Sequence, residues 1–184
     1  MGTMKTENVI TYLKGQHEEI KALFETVLGA RGAERETAFY ALRRLMAVHE
    51  TAEEEVVHPV ARRALMSVGA HIVSERLAEE KKAKVALTEL EALDISSAVF
   101  DTKLRALQAD VLAHAEREER EEFSKLNEAL NTTHLARMKT AAQFAELTAP
   151  TRPHAGVESA TANLLVGPFA AMMDRARDLL SGKS

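Results

Sequence analysis

The chain has 184 residues, of which 46% are hydrophobic and only 4% aromatic, and it carries a formal net charge of −4. This length suits one domain with a sizeable core, and the scarcity of aromatic residues, proline and glycine predicts an all-α protein. The interleaved acidic and basic residues do not indicate a nucleic-acid partner, and the absence of cysteine excludes disulfides, thiolate metal ligands and a cysteine nucleophile.

The first predicted helix covers about residues 7–28, with Thr6 as its cap and Gly29 as its end. Ionisable residues interrupt this region, so a signal peptide is not expected. No later stretch is apolar enough to span a bilayer, and we predict a cytoplasmic protein without a membrane partner. One histidine falls within the apolar seam of this helix, which reads Ile10, Leu13, His17, Ile20, Phe24 and Val27.

The second predicted helix, residues 33–67, contains His49 and Glu53 four positions apart, which places both side chains on one face. A carboxylate buried on this apolar face needs a compensating partner, and a metal ion would supply it. Pro59 predicts a bend just after the pair. On an ideal helix His58 has turned away from the ligand face. The bend could return it to that face, but we predict a partly exposed histidine there. The seam reads Phe39, Leu42, Met46, His49, Glu53, Val56 and Val60.

Gly69 predicts an interruption, which is followed by a third helix at about residues 70–93. The inward row of this helix carries one acidic residue, Glu80, although its neighbour Glu79 could take the same role. An alternative interpretation is that residues 79–82 form only a solvated charge cluster. The row reads Leu77, Glu80, Ala83, Leu87 and Leu90.

The fourth predicted helix runs from the turn at residues 96–97 to about residue 130, and it repeats the histidine-plus-four carboxylate as His114 and Glu118. The first-helix histidine precedes the second-helix pair by 32 residues, and the third-helix glutamate precedes the fourth-helix pair by 34 residues. This correspondence predicts a duplicated helical hairpin, in which each half gives one ligand from its first helix and a pair from its second.

The remainder of the chain predicts a helix at about residues 134–147, a loop marked by proline and glycine, and a last helix at about residues 159–180. This last helix is apolar enough to pack on the bundle or on a second chain. His134 and His154 are expected at helix ends or in loops, and neither is counted as a ligand.

Four antiparallel helices joined by short turns predict an up-down-up-down four-helix bundle, whose core can hold a metal site. Three imidazoles and three carboxylates are too many for tetrahedral zinc and too rich in nitrogen for calcium or magnesium. They suit two iron or manganese ions, bridged by the carboxylates of the two pairs and by oxo, hydroxo or water. The predicted ligands are His17 and His49 for one ion, Glu80 and His114 for the other, and Glu53 and Glu118 as bridges.

The order of one histidine, a His-x-x-x-Glu pair, a third-helix ligand and a second pair resembles the hemerythrin-like (HHE cation-binding) family over about residues 7–130. The resemblance implies a bundle with a non-haem diiron centre. We predict this bundle over residues 1–131 and a C-terminal helical extension over residues 132–184, packed on the bundle or on a partner chain. Members often have histidine where Glu80 stands. Two phrases carry the resemblance, His49-Glu-Thr-Ala-Glu-Glu-Glu-Val-Val-His-Pro59 and His114-Ala-Glu-Arg-Glu-Glu-Arg-Glu-Glu-Phe123.

A carboxylate in place of a neutral imidazole stabilises ferric iron and lowers the reduction potential, which disfavours reversible oxygen carriage. We therefore predict a diiron protein that reacts with peroxide, dioxygen or nitric oxide, with catalase-like or oxidase-type activity. Manganese or zinc are alternative metals, and a monomer or a homodimer is expected. Alternative hypotheses are a non-enzymatic iron, oxygen or redox sensor, and a metal-free interaction domain whose histidines form a polar network.

Overall fold

The computed structural model describes residues 7–149, which are almost entirely helical and contain no β-strand. Two π-helical turns, Glu53–Val57 and Glu119–Phe123, each interrupt a long helix. The predicted Thr6 cap, His154 and the predicted helix at residues 159–180 lie outside the described residues. The α-helices are α1 (Val9–Gly29), α2 (Gly32–Ala52), α3 (His58–Ala64), α4 (Met66–Glu91), α5 (Ala98–Glu118), α6 (Ser124–Ala129) and α7 (Thr132–Thr148).

The long helices pack as the four-helix bundle that the sequence predicts. In the bundle, α2 and α3 form the second helix, and α5 and α6 form the fourth. Helix α1 packs on α2 and α5, and α4 packs on α3 and α5, so the all-α up-down-up-down prediction is confirmed. Helix α7 packs on α1, α2 and the first π turn. Between residues 7 and 149, no helix has the length and apolar character needed to cross a bilayer.

Side-chain caps determine where several helices begin. The backbone N–H of Thr11 donates to the side chain of Asn8, and the Thr11 hydroxyl accepts from the backbone N–H of Asn8. This capping box starts α1 at Val9, two residues after the predicted start. Ser97 and Asn131 cap α5 and α7 by accepting a backbone N–H three residues further on.

The break between the second and third helices lies at Leu65 and Met66, and the prediction of an interruption at Gly69 is wrong. The backbone N–H of Leu65 donates to the carbonyl of Ala61 at 3.0 Å, and the exposed Met66 has a φ of 52°. Gly69 lies inside α4, where a Cβ atom would come within 2.3 Å of the Ala61 carbonyl oxygen. Glycine therefore permits the close approach of α3 and α4.

Two apolar clusters fill the bundle, and a polar layer separates them. Helix α1 passes through both clusters, because Leu13 belongs to one and Ile20 to the other, and His17 lies between them. The two clusters exclude water from both sides of this layer. The first cluster includes Ile20, Phe24, Leu42, Leu87, Phe100 and Leu104, and the second includes Val9, Leu13, Val57, Phe123, Leu126 and Leu135.

Candidate metal centre

The structure brings the six predicted ligands together in the polar layer. Five of them are buried, and His114 is partly buried. Their ligand atoms form two groups within which all atoms lie no more than 4.8 Å apart. Glu53 belongs to both groups, as a bridging carboxylate would, and metal binding by these residues stays a prediction. The first group is His17, His49, Glu53 and Glu118, and the second is Glu53, Glu80 and His114.

The three predicted histidine ligands are oriented in the same way. Each uses its Nδ1 atom for a hydrogen bond to an acceptor at the edge of the layer. An acceptor at Nδ1 fixes the ring proton there and leaves the Nε2 lone pair for a metal ion. The acceptors are Glu119 for His17 at 2.9 Å, Gln16 for His49 at 2.7 Å and Glu79 for His114 at 2.8 Å.

Distances within the first group match those between neighbouring ligands of one ion. The Nε2 atoms of His17 and His49 are 3.1 Å apart, and neither can donate to the other when both rings carry their proton on Nδ1. The Nε2 atom of His49 is 3.0 Å from Glu53 Oε1, and that of His17 is 3.3 Å from Glu118 Oε2. Two ligands bound at about 2.1 Å and at right angles would be about 3.0 Å apart.

The two bridging candidates, Glu53 and Glu118, are fully buried. None of their four carboxylate oxygens has a hydrogen-bond partner among the described residues. Burial raises the pKa of both carboxyl groups, and the charge of Glu53 raises that of Glu118 further. Buried carboxylates without partners are costly, and a cation in contact with them would remove this cost. The donor set therefore fits a metal centre.

The structure distinguishes Glu80 from Glu79. Glu80 is 2% exposed and faces the polar layer, as predicted. Glu79 lies outside it, with its carboxylate 2.8 Å from His114 Nδ1 and 2.9 Å from Arg117 Nε. The buried Arg76 is 3.1 Å from the same carboxylate. Glu79 therefore orients a predicted ligand and does not take the place of Glu80.

His58 departs from the prediction of a partly exposed side chain, since it is only 2% exposed. Its Nε2 atom is 2.7 Å from Glu80 Oε1, and its Nδ1 atom is 3.0 Å from Glu122 Oε1. The prediction assumed an unbroken α-helix, whereas the π turn at Glu53–Val57 adds a residue and rotates His58 inward. Glu122 was not predicted. Its position four residues after Glu118, which helical spacing places on the same face, was the signal that could have found it.

A cavity of about 180 Å³ reaches this layer from the surface. It gives a small molecule access to the predicted ligands while the rest of the layer stays closed. Glu50 contributes a buried carboxyl group to the cavity wall. The polar residues that line it include His17, His49, Glu50, Glu80, His114 and Arg117.

The surrounding charges shift the pKa values of the histidines in opposite directions. Burial lowers the pKa of His17, but the carboxylates around it, Glu118 foremost, raise it to about 9. For His114, burial lowers the pKa, but the hydrogen bond that it donates to Glu79 and the charges of nearby carboxylates raise it to about 9. Burial and the charge of His17 lower the pKa of His49 to about 3.

These pKa values predict that protons compete with metal at neutral pH. Metal ions bind neutral imidazole, so His17 and His114 must each release a proton below about pH 9. We expect the apparent affinity for Co²⁺ to rise between about pH 6 and 9 and protons to be released on binding. Calorimetric titration in buffers of different ionisation enthalpy measures both quantities. An affinity that is constant over this range would contradict the prediction.

The raised pKa values of His17 and His114 also make the stability of the metal-free protein depend on pH. Because the folded-state pKa of both histidines lies above the unfolded value of about 6.5, their stabilisation is complete below that pH. It is lost as the pH rises through about 9, so the metal-free and metal-loaded proteins should respond to pH in opposite directions.

Comparison with known proteins gives two matches of different kinds. Residues 8–126 match the family model described as the hemerythrin HHE cation binding domain. The fold is similar to the crystal structure of a hemerythrin HHE cation binding domain-containing protein from Mycobacterium kansasii, with a TM-score of 0.68 and 19% identity. The match covers 77% of this chain and 86% of that chain. None of the curated proteins matches the sequence significantly.

Proposed function

This chain belongs to the hemerythrin HHE cation-binding family, and we propose that it is a non-haem diiron protein that reacts with hydrogen peroxide, dioxygen or nitric oxide. One observation carries the proposal. Three buried or partly buried imidazoles have their Nδ1 protons fixed by acceptors, and their Nε2 atoms lie beside two buried carboxylates without hydrogen-bond partners. This arrangement favours a pair of cations sharing carboxylates.

In the proposed centre each half of the bundle would supply two ligands to one ion and one carboxylate that both ions share. His17 and His49 would bind one ion, Glu80 and His114 the other, with Glu53 and Glu118 between them. When bound, an iron pair supplies two-electron redox chemistry. Manganese could use the same donors, whereas zinc would bind without redox activity.

The charge of Glu80 favours a centre that reacts with peroxide or oxygen over one that binds oxygen reversibly. In the metal-free protein burial raises the pKa of Glu80, but the charge of His58, whose Nε2 is 2.7 Å away, the hydrogen bond between them and the charges of His114 and Lys84 together lower it. A charged carboxylate therefore stands at this position, and anionic ligands favour the ferric state. A low reduction potential suits reduction of peroxide or oxygen better than storage of oxygen.

The cavity limits the size of the substrate. A volume of about 180 Å³ accommodates peroxide, a diatomic molecule and a few waters. Glu50 can supply a proton there, because burial raises its pKa to about 8 and Lys84, 3.6 Å away, offsets this only partly. At neutral pH the Glu50 carboxyl group then holds a proton beside the cavity, which peroxide reduction requires.

Metal analysis combined with peroxide consumption tests the proposal. We expect about two irons per chain, a visible absorption band that changes with peroxide or nitric oxide, and evolution of dioxygen from peroxide. His49→Gln should remove the band and the activity. His71→Gln is the matched control, because His71 is exposed and belongs to no group of possible metal ligands among the described residues. Iron-loaded protein that responds to none of these molecules would contradict the proposal.

A second candidate function, a non-enzymatic sensor, is favoured by a chain of hydrogen bonds that reaches the layer from α7. The Tyr12 hydroxyl donates to Glu146 Oε2 at 2.6 Å, and Gln16 Nε2 donates to Glu146 Oε1 at 2.9 Å. Gln16 Oε1 in turn accepts from His49 Nδ1 at 2.7 Å. Metal binding at His49 would therefore stabilise the docked position of α7, which a partner could recognise.

Hydrogen exchange of α7 distinguishes the sensor from the enzyme. We expect metal to slow amide exchange in α7, and Glu146→Gln to reduce this effect and weaken metal binding by about tenfold. Glu7→Gln is the control, because the hydrogen bond of Glu7 goes to Lys139 of α7 and not to Glu146, Gln16 or His49. Metal-dependent protection without turnover would support the sensor. Turnover with unchanged exchange would exclude it.

A further inference from the structure

The two π-helical turns occupy equivalent places in the two halves of the bundle. One begins at Glu53 and the other directly after Glu118, so each follows a His-x-x-x-Glu pair. A π turn inserts one residue into the helix and turns everything after it by about 100°. Such turns are unfavourable locally and are frequent at functional sites, so two of them in matching positions require an explanation.

The first π turn brings His58 into the polar layer, and Glu122, which lies within the second π turn, stands opposite it. Both side chains are buried, at 2% and 0% exposure. The Nδ1 atom of His58 lies 3.0 Å from Glu122 Oε1, and its Nε2 atom lies 2.7 Å from Glu80 Oε1. The layer therefore holds a further imidazole and a further carboxylate beside the six predicted ligands.

His58 repeats the orientation of the three predicted histidine ligands. In each of those, Nδ1 has an acceptor at the edge of the layer and Nε2 faces the predicted ligand atoms. Glu122 takes the same position behind His58 that Glu119 takes behind His17. The Nε2 atom of His58 faces Glu80 at a distance close to the 3.0 Å between His49 Nε2 and Glu53 Oε1.

Carboxylate oxygens without partners surround this imidazole. Glu80 Oε2, Glu122 Oε2 and both oxygens of Glu118 are buried and accept no hydrogen bond among the described residues. Ligand atoms of His58, Glu118 and Glu122 lie within 4.8 Å of one another. A His58 ring protonated on both nitrogens donates one hydrogen bond to Glu80 and one to Glu122, and the remaining oxygens stay without a partner. A cation beside them would also contact these remaining oxygens.

We propose that His58 is a fourth imidazole ligand of the metal pair, bound through Nε2 to the ion that Glu80 holds, with Glu122 as the carboxylate that orients it. The inference rests on the metal pair of the proposed function. The other half of the bundle carries Phe123 at the corresponding position, and its ring stacks on His17 with centroids 5.9 Å apart and planes at 3°. The two ions are therefore unequal, since only the Glu80 ion gains this extra ligand.

Proton NMR of the protein loaded with Co²⁺ counts the imidazole ligands directly. A bound histidine with a protonated Nδ1 gives one strongly shifted proton signal that disappears in D₂O. We expect two Co²⁺ per chain and four such signals. His58→Gln should leave three signals and weaken one of the two Co²⁺ equivalents by at least about tenfold. Glu122→Gln should keep four signals but move one of them.

His71→Gln is the matched control, because His71 is exposed, and it should keep four signals and both affinities. Three signals in the unaltered protein would overturn the proposal, whether or not the variants fold. A third Co²⁺ equivalent that His58→Gln abolishes would also overturn it, because His58 would then belong to a separate ion. The NMR experiment contains no substrate, so a protein that does not react with peroxide or nitric oxide could still show four signals. A chain that binds no Co²⁺ would contradict both this proposal and the proposed function.

Discussion

Glu53→Gln is expected to remove the proposed metal pair and to lower the proposed peroxide turnover by at least about a hundredfold. Glu53 is the residue whose carboxylate belongs to both groups of predicted ligands, with one oxygen 3.0 Å from His49 Nε2. A neutral amide of the same shape cannot bridge two cations as a carboxylate does. Iron analysis and oxygen evolution, measured on the same preparation, test this expectation.

The same substitution should have the opposite effect on the metal-free protein. Burial raises the pKa of Glu53, so its charge destabilises the fold at neutral pH, and the amide should increase the free energy of unfolding by about 1–3 kcal/mol. The unaltered protein should instead gain about 3 kcal/mol per ion at a metal concentration a hundredfold above the dissociation constant.

Glu55→Gln is the control for these measurements, because Glu55 is only partly buried and belongs to neither group of predicted ligands. It should leave metal content, turnover and the response to chelation unchanged. If Glu53→Gln kept two irons per chain, or destabilised the metal-free protein, the bridging role assigned to Glu53 would be wrong.

Gly69→Ala is expected to destabilise the bundle by about 2–3 kcal/mol, which lowers the Tm by roughly 5–10 °C. The added Cβ would lie 2.3 Å from the Ala61 carbonyl oxygen and 3.0 Å from Leu65 Cβ. That carbonyl also accepts the N–H of Leu65, the hydrogen bond that ends α3. Helices α3 and α4 must therefore separate, and thermal unfolding of the metal-free protein measures the cost.

Gly15→Ala provides the matched comparison. Gly15 lies on the exposed face of α1, and a Cβ there would meet no atom within 4 Å. Alanine should therefore stabilise the protein by about 0.5–1 kcal/mol through its helix propensity. Equal effects at the two positions would mean that helix propensity, and not the contact with Ala61, determines the response at Gly69.

The spacing of apolar and polar residues along the sequence predicts much of the fold and most of the candidate site. Apolar residues at steps of three and four predict the helices, and polar residues at equivalent points of four seams predict that they meet at one depth. Helical phase favours Glu80, which continues the row to Leu87, but the sequence left Glu79 as an alternative, and the structure places only Glu80 in the polar layer. These inferences succeed because burial and helix geometry act over short distances along the chain.

The inferences that failed concern backbone features that only tertiary packing stabilises. Nothing in the sequence after Glu53 or Glu118 distinguishes a π turn from an α turn. Pro59 does not explain the turns either, since it follows the first π turn while the second ends without a proline. Without the inserted residue, His58 was assigned to the wrong face. Gly69 was taken as a helix end because the contact that requires glycine is made with another helix.

The buried carboxylates of Glu53 and Glu118 also bear on the lifetime of the protein in a cell. In a newly synthesised chain that has not yet bound an ion, folding buries these carboxyl groups without hydrogen-bond partners. The folded state is then less stable than it is with metal bound. Proteases degrade loosely folded molecules first, which shortens the half-life of chains that acquire no metal. The abundance of the protein is therefore expected to follow the supply of its metal, even when synthesis is constant.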